Sequence, residues 1–228
     1  MNNWESYLII ALTGYLIGSI SFVRIIFAFK RPGTEPDKIR AMSTDGKAEF
    51  VARQVGATSV MIAFGRRWGL TASALDMAKA FVPVLALRLA FPDLSYHLVC
   101  GVAVLIGHLW PVWHRFSGGG GNSCIMGMML AISPLGLVLT QMGGMLIGKI
   151  NVRYIFLAGV VLMIPWFAWQ NGIFSPESAF ALVITVFYVV NQLPEAFQLQ
   201  RLNKQGYTFE KNHVIGMMKN PNREDSNS

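Results

Sequence analysis

Apolar residues in this chain come in long blocks, not in the alternation of a half-buried strand or the one-sided stripe of a soluble helix. Blocks at 6–29, 68–91, 151–169 and 176–197 are each long enough to cross a hydrocarbon layer of about 30 Å at about 1.5 Å per residue. Between Tyr96 and Ile150 lies a longer apolar region, broken by the Trp110 to Gly121 connector and by the Ser133, Pro134 pair, which divides it into 96–113, 120–133 and 134–149. The middle piece is too short to cross alone and reads as the start of a half-embedded helix, since irregular backbone at that depth needs cover from protein or a wet cavity. The pattern predicts an all-α membrane protein, a seven-segment transmembrane helical bundle over residues 1–212, followed by a disordered cytoplasmic tail at 213–228. The apolar run from Tyr7 to Phe29 is too long for a signal peptide and follows Glu5 instead of a basic stretch, so it reads as a retained first span.

The basic residues orient the bundle. The first connector carries Lys30, Arg31, Lys38, Arg40, Lys47, Arg53, Arg66 and Arg67, and the connectors after segments three and five carry Arg115, and Lys149 with Arg153. The C-terminal stretch adds Arg201, Lys204, Lys211, Lys219 and Arg223, while the connectors after segments two, four and six carry none. Because cytoplasmic loops hold the Lys and Arg excess, this alternation predicts N-out and C-in.

Composition supports a lipid solvent: 53% of residues are hydrophobic and 14% charged, with a mean hydropathy of +0.44. The net charge of +7 is spread through connectors and forms no continuous face, which excludes nucleic acid as a partner. Cys100 and Cys124 both fall in or beside apolar stretches, so neither a disulfide framework nor a metal-ligand cluster is indicated. Inside the spans, Asp76 and Lys79 are three apart on one helical face and read either as a self-neutralising structural pair or as the lining of a polar cavity. Arg24 and Arg88 lie close enough to span ends to snorkel and are given no chemistry.

Three stretches can carry chemistry. In GHLWPVWHRFSGGGGNS, four consecutive glycines, Gly118, Gly119, Gly120 and Gly121, meet the start of an apolar helix. Their amides can cradle a phosphate, although the same glycines also serve a turn or a packing hinge. His108, His114 and Arg115 flank the turn as sources of protons or positive charge. In VARQVGATSVMIAFGRRWG, Gly56, Ala57 and Thr58 form a small-residue site where backbone can approach another element, followed by an amphipathic helix at the interface that walls a lipid-facing pocket or simply packs there. In VNQLPEAFQLQRL, Pro194 is expected to kink or end the last helix, leaving Glu195 and Gln198 one turn apart near the cytoplasmic surface, where the pair reads first as a solvated helix end and second as part of a site.

Taken together, these stretches resemble the PlsY family of bacterial membrane acyl-phosphate:glycerol-3-phosphate acyltransferases. The matching segments are YLIGSISF, VGATSV, LDMAKAFVPVLALRL, GHLWPVWHRFSGGGG, SPLG at 133–136 and VRYIFLA. The resemblance implies a multi-pass protein of the bacterial inner membrane, with no cofactor and no metal. It also implies glycerol-3-phosphate, acyl phosphate and membrane lipid as its partners, and acyl transfer in phospholipid synthesis as its reaction. The departures are concentrated in the positions the family uses for catalysis. A serine two residues before the family's Asn-Ile-Gly-Ala-Thr falls on Ala52, that asparagine on Gln54, and the motif's arginine on Ile62; the lysine of Gly-Gly-Lys-Gly falls on Gly120, and the third motif's histidine and asparagine fall on Glu195 and Gln198. Two function classes stay open: an acyltransferase of weak or altered activity, and a catalytically silent relative. The second would bind lipid, an anionic lipid precursor or a partner membrane protein, with the polar insertion from Pro32 to Phe50 as the docking segment.

Overall fold

The computed structural model describes residues 3–36, 40–149 and 155–208. The expectations for the tail at 213–228, for Arg153 and for Lys38 lie outside these residues. The chain enters through α1 (Asn3–Gly18) and α2 (Phe22–Lys30), then makes a two-stranded hairpin of β1 (Arg40–Met42) and β2 (Glu49–Val51). Next come α3 (Ala57–Phe64), α4 (Arg66–Ala90), α5 (Tyr96–Leu109), α6 (Asn122–Ile132) and α7 (Pro134–Gly148). The last elements are α8 (Ile155–Val161), α9 (Met163–Asn171) and α10 (Pro176–Lys204).

Four helical stretches among the described residues are long and apolar enough to cross a membrane: Trp4–Lys30, Arg66–Ala90, Tyr96–His114 and Pro176–Lys204. Three shorter apolar ones, Asn122–Ile132, Pro134–Gly148 and Ile155–Asn171, occupy the remaining expected segments. The outer surface is greasy, with Leu8, Leu12, Val82, Leu135, Met145, Trp169 and Leu182 all exposed, as a lipid solvent permits. Inside, Val104, Leu105, Cys124, Ile125, Met128, Met163, Phe167 and Ile184 form one continuous core shared by α4, α5, α6, α9 and α10.

Association in lipid gains little from the hydrophobic effect, so close backbone packing has to drive it. The contact between α1 and α5 is built that way: a β-carbon at Gly18 would fall 2.1 Å from the Val104 carbonyl oxygen, and one at Gly107 would fall 2.1 Å from that of Tyr15. The α4 and α6 pair repeats the device at Gly127, against the Met77 carbonyl, and adds a Ser73 to Ser123 hydroxyl hydrogen bond of 2.8 Å.

Three features differ from the sequence expectation. The first span is not one helix: it breaks at Ser19–Ser21, where Ser21 caps α2 and the Ile20 carbonyl turns to the Lys79 ammonium at 2.6 Å. Pro194 does not end α10, which runs on to Lys204 with the proline inside it. Part of the polar insertion is a hairpin, with Arg40 opposite Val51 and Met42 opposite Glu49. It is moored to the residues after α10 by Thr44 and Thr208, through a 2.9 Å backbone bond and a 2.7 Å hydroxyl pair.

Candidate functional site

The tetraglycine turn is fixed from three directions. The Val55 amide donates to the Gly118 carbonyl (3.0 Å), the Gly119 amide donates to the His108 carbonyl (3.1 Å), and Asn191 Nδ2 donates to the Gly119 carbonyl (3.2 Å). No side chain fits where the turn meets α5, since a β-carbon at Gly118 would sit 2.1 Å from the His108 carbonyl oxygen. Gly121, at φ +91°, occupies the left-handed region and starts α6. The Gly119 amide is therefore committed to structure, whereas the amides of Gly118, Gly120 and Gly121 have no backbone acceptor among the described residues. Those three donors, with the α6 N-terminus behind them, are what an anion can use.

Beside the turn lies a buried charge cluster. Lys79 Nζ sits 2.8 Å from Asp76 Oδ1, 2.6 Å from the Ile20 carbonyl and 3.0 Å from His108 Nδ1. Asp76, Lys79 and His108 are all buried. An ammonium has no lone pair, so it donates to Nδ1 and the His108 proton resides on Nε2. That nitrogen faces the turn: a β-carbon on Gly119 would lie 2.5 Å from it. A narrow cleft between the broken first span and the turn is lined by Ser19, Ser21, Val55, Asp76, His108 and Gly119 among others. Asp76 Oδ1, although paired in charge with Lys79, accepts no hydrogen bond.

The chain between β2 and α3 is delivered to this cleft by α10. Glu195 Oε1 accepts from the amides of Arg53 (2.7 Å) and Gln54 (3.1 Å). One turn further on, the Gln198 carboxamide bridges Val51, donating to its carbonyl at 3.0 Å and accepting from its amide at 3.2 Å. The Gln54 amide nitrogen then donates to Gln192 Oε1 at 2.8 Å, and its oxygen would lie 2.7 Å from a β-carbon on Gly120.

The structure thus brings His108, Gly118 and Gly119 together beside Asp76 in one cleft, while Gln54 stands against Gly120 and Glu195 and Gln198 hold the segment at 51–54. Ala52 is buried in the same segment and offers no hydroxyl, and Ile62 lies on α3 with no charge to offer. Arg115 adopts a left-handed conformation (φ 51°) and its side chain is exposed, so it does not line the cleft. Within the stretch Gly56, Ala57 and Thr58, the backbone approach is found at Ala57 and not at Gly56. Nothing lies within 4 Å of a β-carbon at Gly56, while one at Gly69 would meet Met61 and, at 3.1 Å, the Ala57 carbonyl. The reason is that α3 folds back on the start of α4, and the glycine on α4 supplies the clearance.

Sequence reasoning missed Ser19 to Ser21, Asn191, Gln192 and Arg24. Set aside above as a span-end cation, Arg24 turns inward: Nη2 donates to the Ser117 carbonyl (3.2 Å), and Nη1 pairs with Glu35. Arg88 is also a structural donor, to the Ile132 carbonyl at the end of α6 (2.8 Å).

Fold and site together define an integral membrane protein with a polar, glycine-walled cleft between a broken first span and the tetraglycine turn. The chain belongs to the glycerol-3-phosphate acyltransferase family, whose model matches residues 8–201. It is 31% identical over 186 residues to the glycerol-3-phosphate acyltransferase of Pseudomonas putida strain KT2440, covering 79% of this chain and 89% of that one. It is also 31% identical over 174 residues to that of Mycoplasma capricolum, where the match covers 72% of this chain but only 62% of the relative, less than two thirds of its length. Among solved structures it is similar to PlsY, an integral membrane glycerol 3-phosphate acyltransferase, in its glycerol 3-phosphate form. There the TM-score is 0.68 at 26% identity, covering 92% of this chain and 98% of that one. The lysophosphatidic acid form gives 0.67.

Proposed function

We propose that this chain transfers an acyl group from an acyl phosphate to glycerol-3-phosphate, on the cytoplasmic face of a bacterial inner membrane, with seven membrane-embedded segments arranged N-out and C-in. The glycerol hydroxyl oxygen attacks the acyl carbonyl carbon, and the bond from that carbon to the phosphate oxygen breaks. Lysophosphatidate and inorganic phosphate leave, and the hydroxyl proton passes to phosphate or solvent. The observation that carries the reading is the turn itself: among the described residues the amides of Gly118, Gly120 and Gly121 have no backbone acceptor, and His108 Nε2, Gln54 and the Val55 amide lie against the turn. The family relationship supplies the substrates, since the similar solved structure is the glycerol 3-phosphate form of PlsY.

Two phosphorylated substrates repel each other strongly beside low-dielectric lipid, and cations normally offset this. With Gly120 and Ile62 where the family resemblance puts lysine and arginine, we expect slow turnover. The test is lysophosphatidate formation by detergent-purified protein supplied with acyl phosphate and glycerol-3-phosphate. Product that requires both substrates supports the reading. The absence of a hydroxyl at Ala52 and of charge at Ile62 and Gly120 favours a second reading, a silent relative that binds an anionic lipid precursor. Product at the no-enzyme rate with intact glycerol-3-phosphate binding would select it.

A further inference from the structure

We propose that Arg24 is the cation that binds a substrate phosphate at the tetraglycine turn, and that Glu35 is the resident anion which that phosphate displaces. The inference rests on the acyl-transfer reading only for which phosphate monoester arrives. Arg24 projects from the first turn of α2, whose cap Ser21 and neighbour Val23 line the cleft together with Gly118 and Gly119. Its Nη2 bonds the carbonyl of Ser117, the residue immediately before the turn, at 3.2 Å. Three nearby basic groups are placed differently. Lys79 is enclosed by Asp76, Ile20 and His108, while Arg115 and Arg53 are exposed; Arg24 is the partly buried one bonded to the residue before the turn.

Burial across the Arg24 and Glu35 pair is lopsided. The arginine side chain is 16% exposed and the glutamate 84%. A guanidinium so far from water needs an anion in every state, because leaving it unpaired in a low-dielectric site is costly. A carboxylate reaching in from solvent, by contrast, contributes little as a surface ion pair and is cheap to exchange. A phosphate carries more charge than a carboxylate and matches the guanidinium fork, so it wins the exchange when present. Glu35 belongs to the polar insertion, which places a competitor for the phosphate on the segment that follows α2.

The test uses full-length protein in detergent, with inorganic phosphate and glycerol-3-phosphate as separate probes and binding read by calorimetry or thermal shift. Glu35→Gln is expected to tighten both probes about tenfold, and Arg24→Gln to weaken both by at least about tenfold, roughly 1.4 kcal/mol. Arg24→Lys should fall between, keeping charge but losing the fork, and it serves as the reading should Arg24→Gln fail to fold. KM values for glycerol-3-phosphate and for acyl phosphate in Arg24→Lys then tell which substrate's phosphate the arginine takes. Unchanged probe affinity in Arg24→Lys and Glu35→Gln, or no binding of either probe by wild type and Glu35→Gln, overturns the proposal. Binding that follows Arg24 without any lysophosphatidate formation would instead overturn the acyl-transfer reading and leave the arginine's assignment standing.

Discussion

Lys79 and His108 meet at 3.0 Å between Nζ and Nδ1, a contact that sets which imidazole nitrogen carries the proton presented to the glycine turn. The ammonium also neutralises Asp76, so its removal has two separable effects. Lys79→Met leaves a buried carboxylate unpaired and is expected to cost about 3–5 kcal/mol in thermal unfolding, most of it recovered in Asp76→Asn/Lys79→Met. Nitrogen NMR of labelled protein should find the His108 proton on Nε2 in the wild type and a mixture of tautomers in the double variant. A wild-type proton on Nδ1 would contradict the arrangement.

Gly118 and Gly56 are both motif glycines with opposite surroundings. Gly118→Ala drives a β-carbon into the His108 carbonyl, a backbone atom that cannot swing aside. We expect a loss of about 1–3 kcal/mol or more, together with loss of ligand binding. Gly56→Ala, with open space at its β-carbon and an extended φ of −128°, should cost less than about 1 kcal/mol. Thermal melts of the two variants under one condition decide it, and equal destabilisation would count against the packing described.

Gln54 occupies the space next to position 120. Gly120→Lys alone has to push the Gln54 amide away from Gln192, at about 1 kcal/mol for the lost hydrogen bond. Gly120→Lys/Gln54→Asn removes the obstruction. The double variant is expected to form lysophosphatidate faster than either the single variant or wild type, which product assays on the three proteins would check.

Glu195 accepts two amide hydrogen bonds with one oxygen, and bonds to a charged acceptor are worth about 1.5–3 kcal/mol. Glu195→Ala should therefore loosen residues 51–55 without unfolding the helices. Hydrogen exchange at the Arg53 and Gln54 amides should speed up sharply while the core of α5 stays protected. Uniform loss of protection would instead mean that Glu195 supports the whole bundle.

Much of the architecture was legible because lipid imposes a simple rule: a segment at membrane depth must be apolar and must satisfy its own backbone. That rule located the apolar segments, and the glycine run stood out by residue type, whereas Glu195 and Gln198 read by themselves as a solvated helix end and were pointed to by the family resemblance. The break at Ser19–Ser21 did not, because SISF reads as apolar and the carbonyl it frees is satisfied by Lys79, from a helix far away in sequence. The partner of Arg24 was illegible for a related reason: its nearness to a span end suggested snorkelling, and its bond partner, Ser117, is 93 residues away. That Gly69 is the residue giving clearance to the Ala57 carbonyl depends on how α3 folds back, which residue spacing alone does not specify.

The clamp on the Arg53 and Gln54 amides comes from a residue made 142 positions later. During synthesis, therefore, these two amides cannot find their acceptor until the final helix has been made, so the segment between β2 and α3 is among the last parts of the protein to be fixed.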